Sequence, residues 1–340
     1  MKTAALILAR LALAAAISLA PVATALAQSR TLTNVSYDPT REFYEEFNAA
    51  FIAHWLAQSG ETIAVQTTHG GSGAQARSVI EGLPADVVTL ALASDIDMIS
   101  DTTGRIRPDW RGTLPNANAP YTSTIVFLVR KGNPKAIADW DDLIAEGVDV
   151  ITPNPKTSGG ARWNVLAAWA WALKQPGGSE ATARDYLAQL FRNVPVLDTG
   201  ARAATITFAQ RGLGDVLIAW ENEALLTLAQ LGADQFEIVT PSVSILAEPP
   251  VAIVDGNVDA RGTRDLAQAY LDYLYSPEGQ ALAAKHYFRP ADTSGIDPAL
   301  LSGFAEIDLA RVDDFGGWRE VQKTFFADGG IFDQVFEGNF

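Results

Sequence analysis

The chain contains no cysteine. That excludes disulfides, thiolate metal sites, a cysteine nucleophile and a lipid-anchored cysteine behind an export signal. Histidine is scarce: His54, His69 and His286 are the only three. His69 has no histidine or carboxylate partner at metal-ligand spacing, and His54 lies on an apolar helix stripe where packing is its simplest role. Positive charge is also short, with 25 Lys and Arg against 40 Asp and Glu and a formal charge of -15. This argues against nucleic acid or an anionic membrane surface as a partner. It does not argue against a small anion, which feels its immediate neighbours far more than remote, salt-screened charges. No G-x-x-x-x-G-K-[ST] phosphate loop occurs. Beyond the N-terminal segment, no stretch reaches the roughly eighteen apolar residues that cross a bilayer.

What is present is a chain of 340 residues, 48% hydrophobic and 19% charged, which can bury a large core and has the length of about two domains. Residues 1–27 read as a secretory signal: Lys2 near the start, an apolar run from Leu11 to Ala20, and Ala25-Leu26-Ala27 as the cleavage site. The mature protein is expected to begin near Gln28 and to be soluble in the periplasm, without membrane insertion.

The mature sequence alternates strands and helices. Strands are predicted at Leu32 to Val35, Thr62 to Gln66 and Ala85 to Ala91, with helices at Arg41 to Gln58 and Ala74 to Glu81. Asp38-Pro39 fits a helix start, with aspartate as the cap. The pattern restarts with a strand from Thr122 to Arg130, a helix from Trp140 to Ala145 and strands at Val148 to Thr152, Gly214 to Ala219, Phe236 to Thr240 and Val251 to Val254. An amphipathic helix from Thr263 to Tyr275 begins a largely helical tail. Such alternation predicts parallel sheets flanked by helices, with ligand sites beyond the strand carboxyl ends. The loops carrying Asp38, Ser72 and Ser94 are candidates for one rim.

The stretch from Pro155 to Lys174, P-K-T-S-G-G-A-R-W-N-V-L-A-A-W-A-W-A-L-K, carries the chemistry. Thr157 and Ser158 are capping types, Gly159 and Gly160 leave their amides uncovered, and Trp163, Leu166, Ala167, Ala170 and Trp171 repeat at helical spacing. A helix start of this kind gathers unpaired N–H groups and the positive end of the peptide dipoles, which suits an anion. An ordinary capped core helix has the same pattern. Similar loops recur at His69-Gly70-Gly71-Ser72-Gly73 and Val196 to Arg202, and Trp220 ends a strand at a cleft rim. Ser72 invites a secreted serine hydrolase as a different-class alternative, but G-x-S-x-G is missing, since Ala74 stands where the second glycine belongs.

Five stretches together resemble the periplasmic sulfate-binding proteins of ABC-type sulfate/thiosulfate importers: N-V-S-Y-D-P-T-R-E at 34–42, H-G-G-S-G at 69–73, Y-T-S-T-I-V-F-L-V-R-K-G-N-P at 121–134, T-P-N-P-K-T-S-G-G-A-R-W-N at 152–164 and G-D-V-L-I-A-W-E-N-E at 214–223. The likeness runs on to Y-S-P-E-G-Q at 275–280 and F-G-G-W at 315–318. It implies an α/β, type II periplasmic binding protein that closes as a hinged clamp, each lobe a mixed sheet flanked by helices. The implied division is lobe 1 at 28–119, lobe 2 at 120–245, and a return to lobe 1 with a C-terminal helical tail at 246–340. It further implies sulfate held by the amides of Asp38, Ser72, Gly159, Gly160 and Ala201, the Ser158 hydroxyl and the Trp220 indole N–H, with no charged side chain touching it. Arg202 is expected behind the Ala201 loop. No metal, cofactor or catalysis is implied. The expected partner is an inner-membrane ABC permease, and the protein is expected to act as a monomer. Thiosulfate or another tetrahedral oxyanion, such as chromate or molybdate, is the alternative main ligand.

Overall fold

The computed structural model describes residues 29–337, so the predicted signal segment lies outside the described residues. Two sheets organise the chain. The first has the strand order Val251–Ile253, Val87–Thr89, Arg30–Ser36, Ile63–Thr68. Its three N-terminal strands run parallel, with Leu32 opposite Val65 and Val35 opposite Val88. The second sheet has the order Leu197–Asp198, Val150–Pro153, Val216–Trp220, Ile125–Arg130, Phe236–Val239.

Neither sheet is wholly parallel, which corrects the reading from alternation alone. Val251–Ile253 is antiparallel to Val87–Thr89, and Ile125–Arg130 is antiparallel to both Val216–Trp220 and Phe236–Val239. The reason is the double crossing between lobes, which delivers one strand of each sheet from the opposite direction. At the crossing, the expected strand from Thr122 to Arg130 breaks into Tyr121–Thr122 and Ile125–Arg130. Ser123 bridges Ala247, and the Thr124 hydroxyl bonds Ser244 Oγ and the Ile245 carbonyl, so the backbone changes partner midway.

Helix Arg41–Ser59 turns Phe43, Phe47 and Phe51 inward, where they meet Tyr121, Tyr270 and Phe288. His54 lies half-buried with its ring 4.6 Å from that of Tyr273, as a packing residue. Helix Gly159–Lys174 is apolar on nearly every face and buried between the second sheet and the C-terminal segment, with Trp163 and Trp171 in the core. Helices Ala93–Thr103 and Glu180–Arg192 were not read from the sequence. The tail consists of short helices whose aromatic residues pack on the second lobe: Trp318 on Trp163, Phe325 on Trp169 and Phe332 on Phe191. Among the described residues, no helix is long and apolar enough to cross a membrane.

Candidate functional site

Strand Val150–Pro153 runs into a tight turn in which the amides of Thr157 and Ser158 both donate to the Asn154 carbonyl, at 3.1 and 2.8 Å. Ser158 then takes the extended backbone of an N-cap, and its Oγ accepts the Ala161 N–H at 3.3 Å. A cap oxygen that accepts keeps its own O–H proton to donate elsewhere. Gly159 and Gly160 are the first helical residues, and among the described residues their amides meet no protein acceptor.

Helix Ser72–Ile80 of the first lobe begins directly opposite. Gly71 is its cap, and the Ser72 hydroxyl donates to Asp95 Oδ2 at 2.5 Å while accepting the Ala91 N–H at 3.0 Å. That leaves the Ser72 amide, not its hydroxyl, available. The two helix starts abut: a methyl carbon on Gly159 would fall 2.8 Å from Ser72 Cβ, and one on Gly71 would fall 2.6 Å from the Thr157 carbonyl oxygen. Glycine is required at both positions by proximity, not by backbone angle.

Two further elements complete the cluster. Gly200 caps helix Ala201–Thr205, and a methyl carbon there would lie 2.9 Å from an Asp38 carboxylate oxygen. Trp220 ends strand Val216–Trp220; its indole nitrogen would lie 3.3 Å from a methyl carbon on Gly160, and its ring stands 5.7 Å from that of Tyr37 in the other lobe. Gly160, Ala201, Trp220 and Glu223 line one small cavity. Thus Asp38, Ser72, Ser158, Gly159, Gly160, Ala201 and Trp220, spread over 183 positions of sequence, meet where the lobes touch.

Three details depart from the sequence reading. Asp38 does not cap a helix: Tyr37 occupies the cap position of the short turn Asp38–Thr40, and the Asp38 amide donates to the Gly70 carbonyl at 3.1 Å. The Trp220 indole donates to the Gly160 carbonyl at 3.2 Å. These two N–H groups therefore have protein acceptors here. Ser94 is not on a loop but in the first turn of helix Ala93–Thr103, because the strand ends at Thr89, short of the predicted Ala91.

The model of the family described as "Bacterial extracellular solute-binding protein" matches residues 32–289. The chain belongs to this family. It is 58% identical over 311 residues to the sulfate-binding protein of Escherichia coli, covering 91% of this chain and 94% of that protein. It is 52% identical over 316 residues to the thiosulfate-binding protein of Pseudomonas aeruginosa, covering 92% and 93%. Among solved structures, the sulfate-binding protein SubI from Mycobacterium tuberculosis H37Rv superposes with a TM-score of 0.79 at 32% identity, covering 87% of this chain and 99% of that one. The ferric binding protein from Campylobacter jejuni, at 13% identity and a TM-score of 0.62, shares the fold alone.

In this solute-binding protein the charges around the amide cluster are mostly paired. Arg202 reaches across the cleft to Glu42 with two bonds of 2.8 Å and touches Glu223 at 3.3 Å. Burial alone would raise the Glu42 carboxyl, but Arg202 brings it below its ordinary value. Burial pushes Glu223 up to about 7 despite Arg202. Burial also keeps the His69 imidazole below its ordinary pKa, and its ring nitrogen lies 3.3 Å from the Tyr37 carbonyl. Among the described residues, no histidine bonds the Ser72 hydroxyl, whose proton goes to Asp95 Oδ2, so the serine–histidine pair of the hydrolase alternative is not formed.

Sequence reasoning missed the residues that join the lobes. Trp163, read as core, is buried but also donates its indole N–H to the Ala91 carbonyl of the first lobe at 3.0 Å. Neither Glu42 nor Asp95 is assigned a role from the sequence. The closed packing of two lobes makes Glu42 the partner of Arg202, whereas Asp95 accepts from Ser72 within the first lobe.

Proposed function

We propose that this protein captures sulfate in the periplasm and hands it to an inner-membrane ABC permease, doing no chemistry itself. The observation that carries the reading is the meeting of helix starts from two lobes with unpaired amides and no guanidinium or ammonium among them, in a chain 58% identical to a sulfate-binding protein. In this reading the donors are the amides of Asp38, Ser72, Gly159, Gly160 and Ala201, the Ser158 hydroxyl and the Trp220 indole. Asp38 and Trp220 share or exchange their bonds to Gly70 and Gly160 when the anion enters. Arg202 acts through Glu42 and Glu223 and does not touch the ion.

Uncharged donors suffice on energetic grounds. Dehydrating a dianion costs tens of kcal/mol in the idealised limit, so donors have to replace its whole hydration shell. A hydrogen bond to a charged group contributes about 1.5–3 kcal/mol net, so roughly seven can leave a micromolar affinity, about 8 kcal/mol, after association costs. A site built of donors also selects by protonation. Sulfate carries no proton at neutral pH, whereas phosphate keeps one that has no acceptor and costs about 1–3 kcal/mol unpaired.

Calorimetric titration of the exported chain should therefore give phosphate binding about ten- to a hundredfold weaker than sulfate; comparable affinities would overturn the donor-only site. Trp220→Phe keeps an aromatic side chain at this buried position but removes the N–H together with the indole's five-membered ring. It should raise the sulfate Kd about tenfold, the worth of one charge-assisted bond, and abolish any ligand-dependent fluorescence of that residue. Unchanged affinity would remove Trp220 from the donor set. Thiosulfate is the second reading, favoured by the 52% identical thiosulfate-binding relative, and competition of thiosulfate against bound sulfate decides the preference.

A further inference from the structure

The C-terminal segment lies beyond residues 32–289, the part matched by the family model, yet it grips the loop that carries Ser158, Gly159 and Gly160. The Lys156 ammonium, two residues before Ser158, donates to Asp333 Oδ2 at 2.7 Å and to the carbonyls of Phe326 and Ala327 at 3.3 and 3.4 Å. Asp333 is held in turn by the Gly329 N–H at 2.8 Å. On the far side of the glycine pair, Arg162 donates to the Pro155 carbonyl at 2.9 Å and to Gln322 Oε1 at 2.8 Å, with its guanidinium over the Phe326 ring. The loop is thus fastened to the tail at both ends.

The tail is itself firmly seated on the second lobe through the edge-to-face pairs Trp163–Trp318, Trp169–Phe325 and Phe191–Phe332. From that base Arg319 reaches to the first lobe, 2.9 Å from Asp101 and 3.2 Å from Asp97. The physical need for such support follows from the loop's composition. Paired glycines have the greatest backbone freedom of any dipeptide, and amide dipoles serve an ion well only when their aim is settled before it arrives. A loop that orders only on binding spends part of its affinity on that ordering.

We propose that residues 317–337 brace the glycine loop and that Lys156 is a positioning residue, pinned by Asp333 and the Phe326 and Ala327 carbonyls so that the Ser158, Gly159 and Gly160 donors are aimed in advance. The inference rests on the sulfate reading above. Lys156 and Asp333 are partly exposed, with side chains at 30% and 18% accessibility, so separating them removes no core. Lys156→Met and Asp333→Asn should each raise the sulfate Kd about three- to tenfold, mainly through faster dissociation, and shift Tm by about 2 °C or less. In the unliganded protein, hydrogen exchange at the Thr157 and Ser158 amides, which donate to the Asn154 carbonyl, should speed up in both. The double variant should be no worse than the worse single one, since both break the same link.

Binding within twofold of wild type in both folded variants, or losses that multiply in the double variant, overturns the brace. Should Lys156→Met fail to fold, Asp333→Asn, which keeps size and removes only charge, decides alone. If the wild-type chain gives no sulfate heat, the sulfate reading fails by itself. The exchange measurement, which needs no ligand, still decides whether the tail holds the loop.

Discussion

Gly159→Ala is expected to weaken sulfate binding about a hundredfold while leaving the unliganded fold at least as stable as wild type. Gly159 has ordinary helical backbone in a first turn, where alanine is favoured over glycine by roughly 0.5–1 kcal/mol. The open protein therefore accepts the methyl group readily. The closed protein does not, because that carbon would fall 2.8 Å from Ser72 Cβ, 3.1 Å from Ala91 Cβ and 3.2 Å from Leu92 Cγ, all on the opposing lobe. Two of these atoms are fixed to backbone and cannot swing away. The lobes have to stand apart, and the amides of Ser72 and Gly160 can no longer converge on one ion. Overpacking of this kind costs about 1–3 kcal/mol, and a hundredfold in Kd is about 2.7 kcal/mol. Titration with sulfate beside a thermal melt checks both halves. Gly160→Ala is the natural comparison: its methyl carbon would meet the Trp220 indole nitrogen at 3.3 Å, a contact that small movements relieve, so its loss should be smaller. A Gly159→Ala protein that binds sulfate within threefold of wild type would refute the closed contact as the binding geometry.

Glu223→Gln should raise stability at pH 8 by on the order of 3 kcal/mol and at pH 5 by less than about 1 kcal/mol. Glu223 is fully buried, and burial lifts its carboxyl from 4.5 to about 7, opposed by Arg202 and assisted by Glu42 and Asp38. The native state then holds a proton that the unfolded chain has released throughout the window between those two values. In that window stability falls as pH rises. The penalty is absent below about 4.5, grows towards 7 and is complete above it, and a rise of this size corresponds to on the order of 3 kcal/mol. Other carboxylates act in the opposite sense: Glu46 and Glu42 are brought below their ordinary value by Lys285 and Arg202 and contribute stability that is lost in acid. The informative quantity is therefore the difference between wild type and variant across pH, in which those terms cancel. Melts at pH 5, 6, 7 and 8 should show a gap opening to about 5 °C. A gap constant with pH would mean that Glu223 stays ionised at every pH tested and that Arg202 compensates its burial in full.

The legible parts of the site were those with local causes. A capping serine followed by two glycines and an apolar helix describes itself, and Ser158 does cap helix Gly159–Lys174. The similar loops at Ser72 and Ala201 open helices as expected. Asp38 misled because proline after aspartate in a helix start usually signals a cap, whereas the chain spends that residue's amide on Gly70 and begins the long helix at Arg41. Ala93–Thr103 escaped notice because its acidic, small-residue sequence lacks an apolar stripe strong enough to separate it from the strand before it.

By itself the sequence determined where strands run into helix starts, that Gly159 and Gly160 leave their amides uncovered, and that no disulfide or cysteine ligand could contribute. These follow from backbone preferences that act over a few residues. Only the tertiary structure decided that Gly159 faces Ser72, that Arg202 spends its charge on Glu42 across the cleft, and that Lys156 is tied to Asp333 177 residues away. Contacts of that kind arise when two separately built lobes and a tail are pressed together. Which surfaces meet is set by the summed shape and charge of whole elements, and no local pattern encodes it.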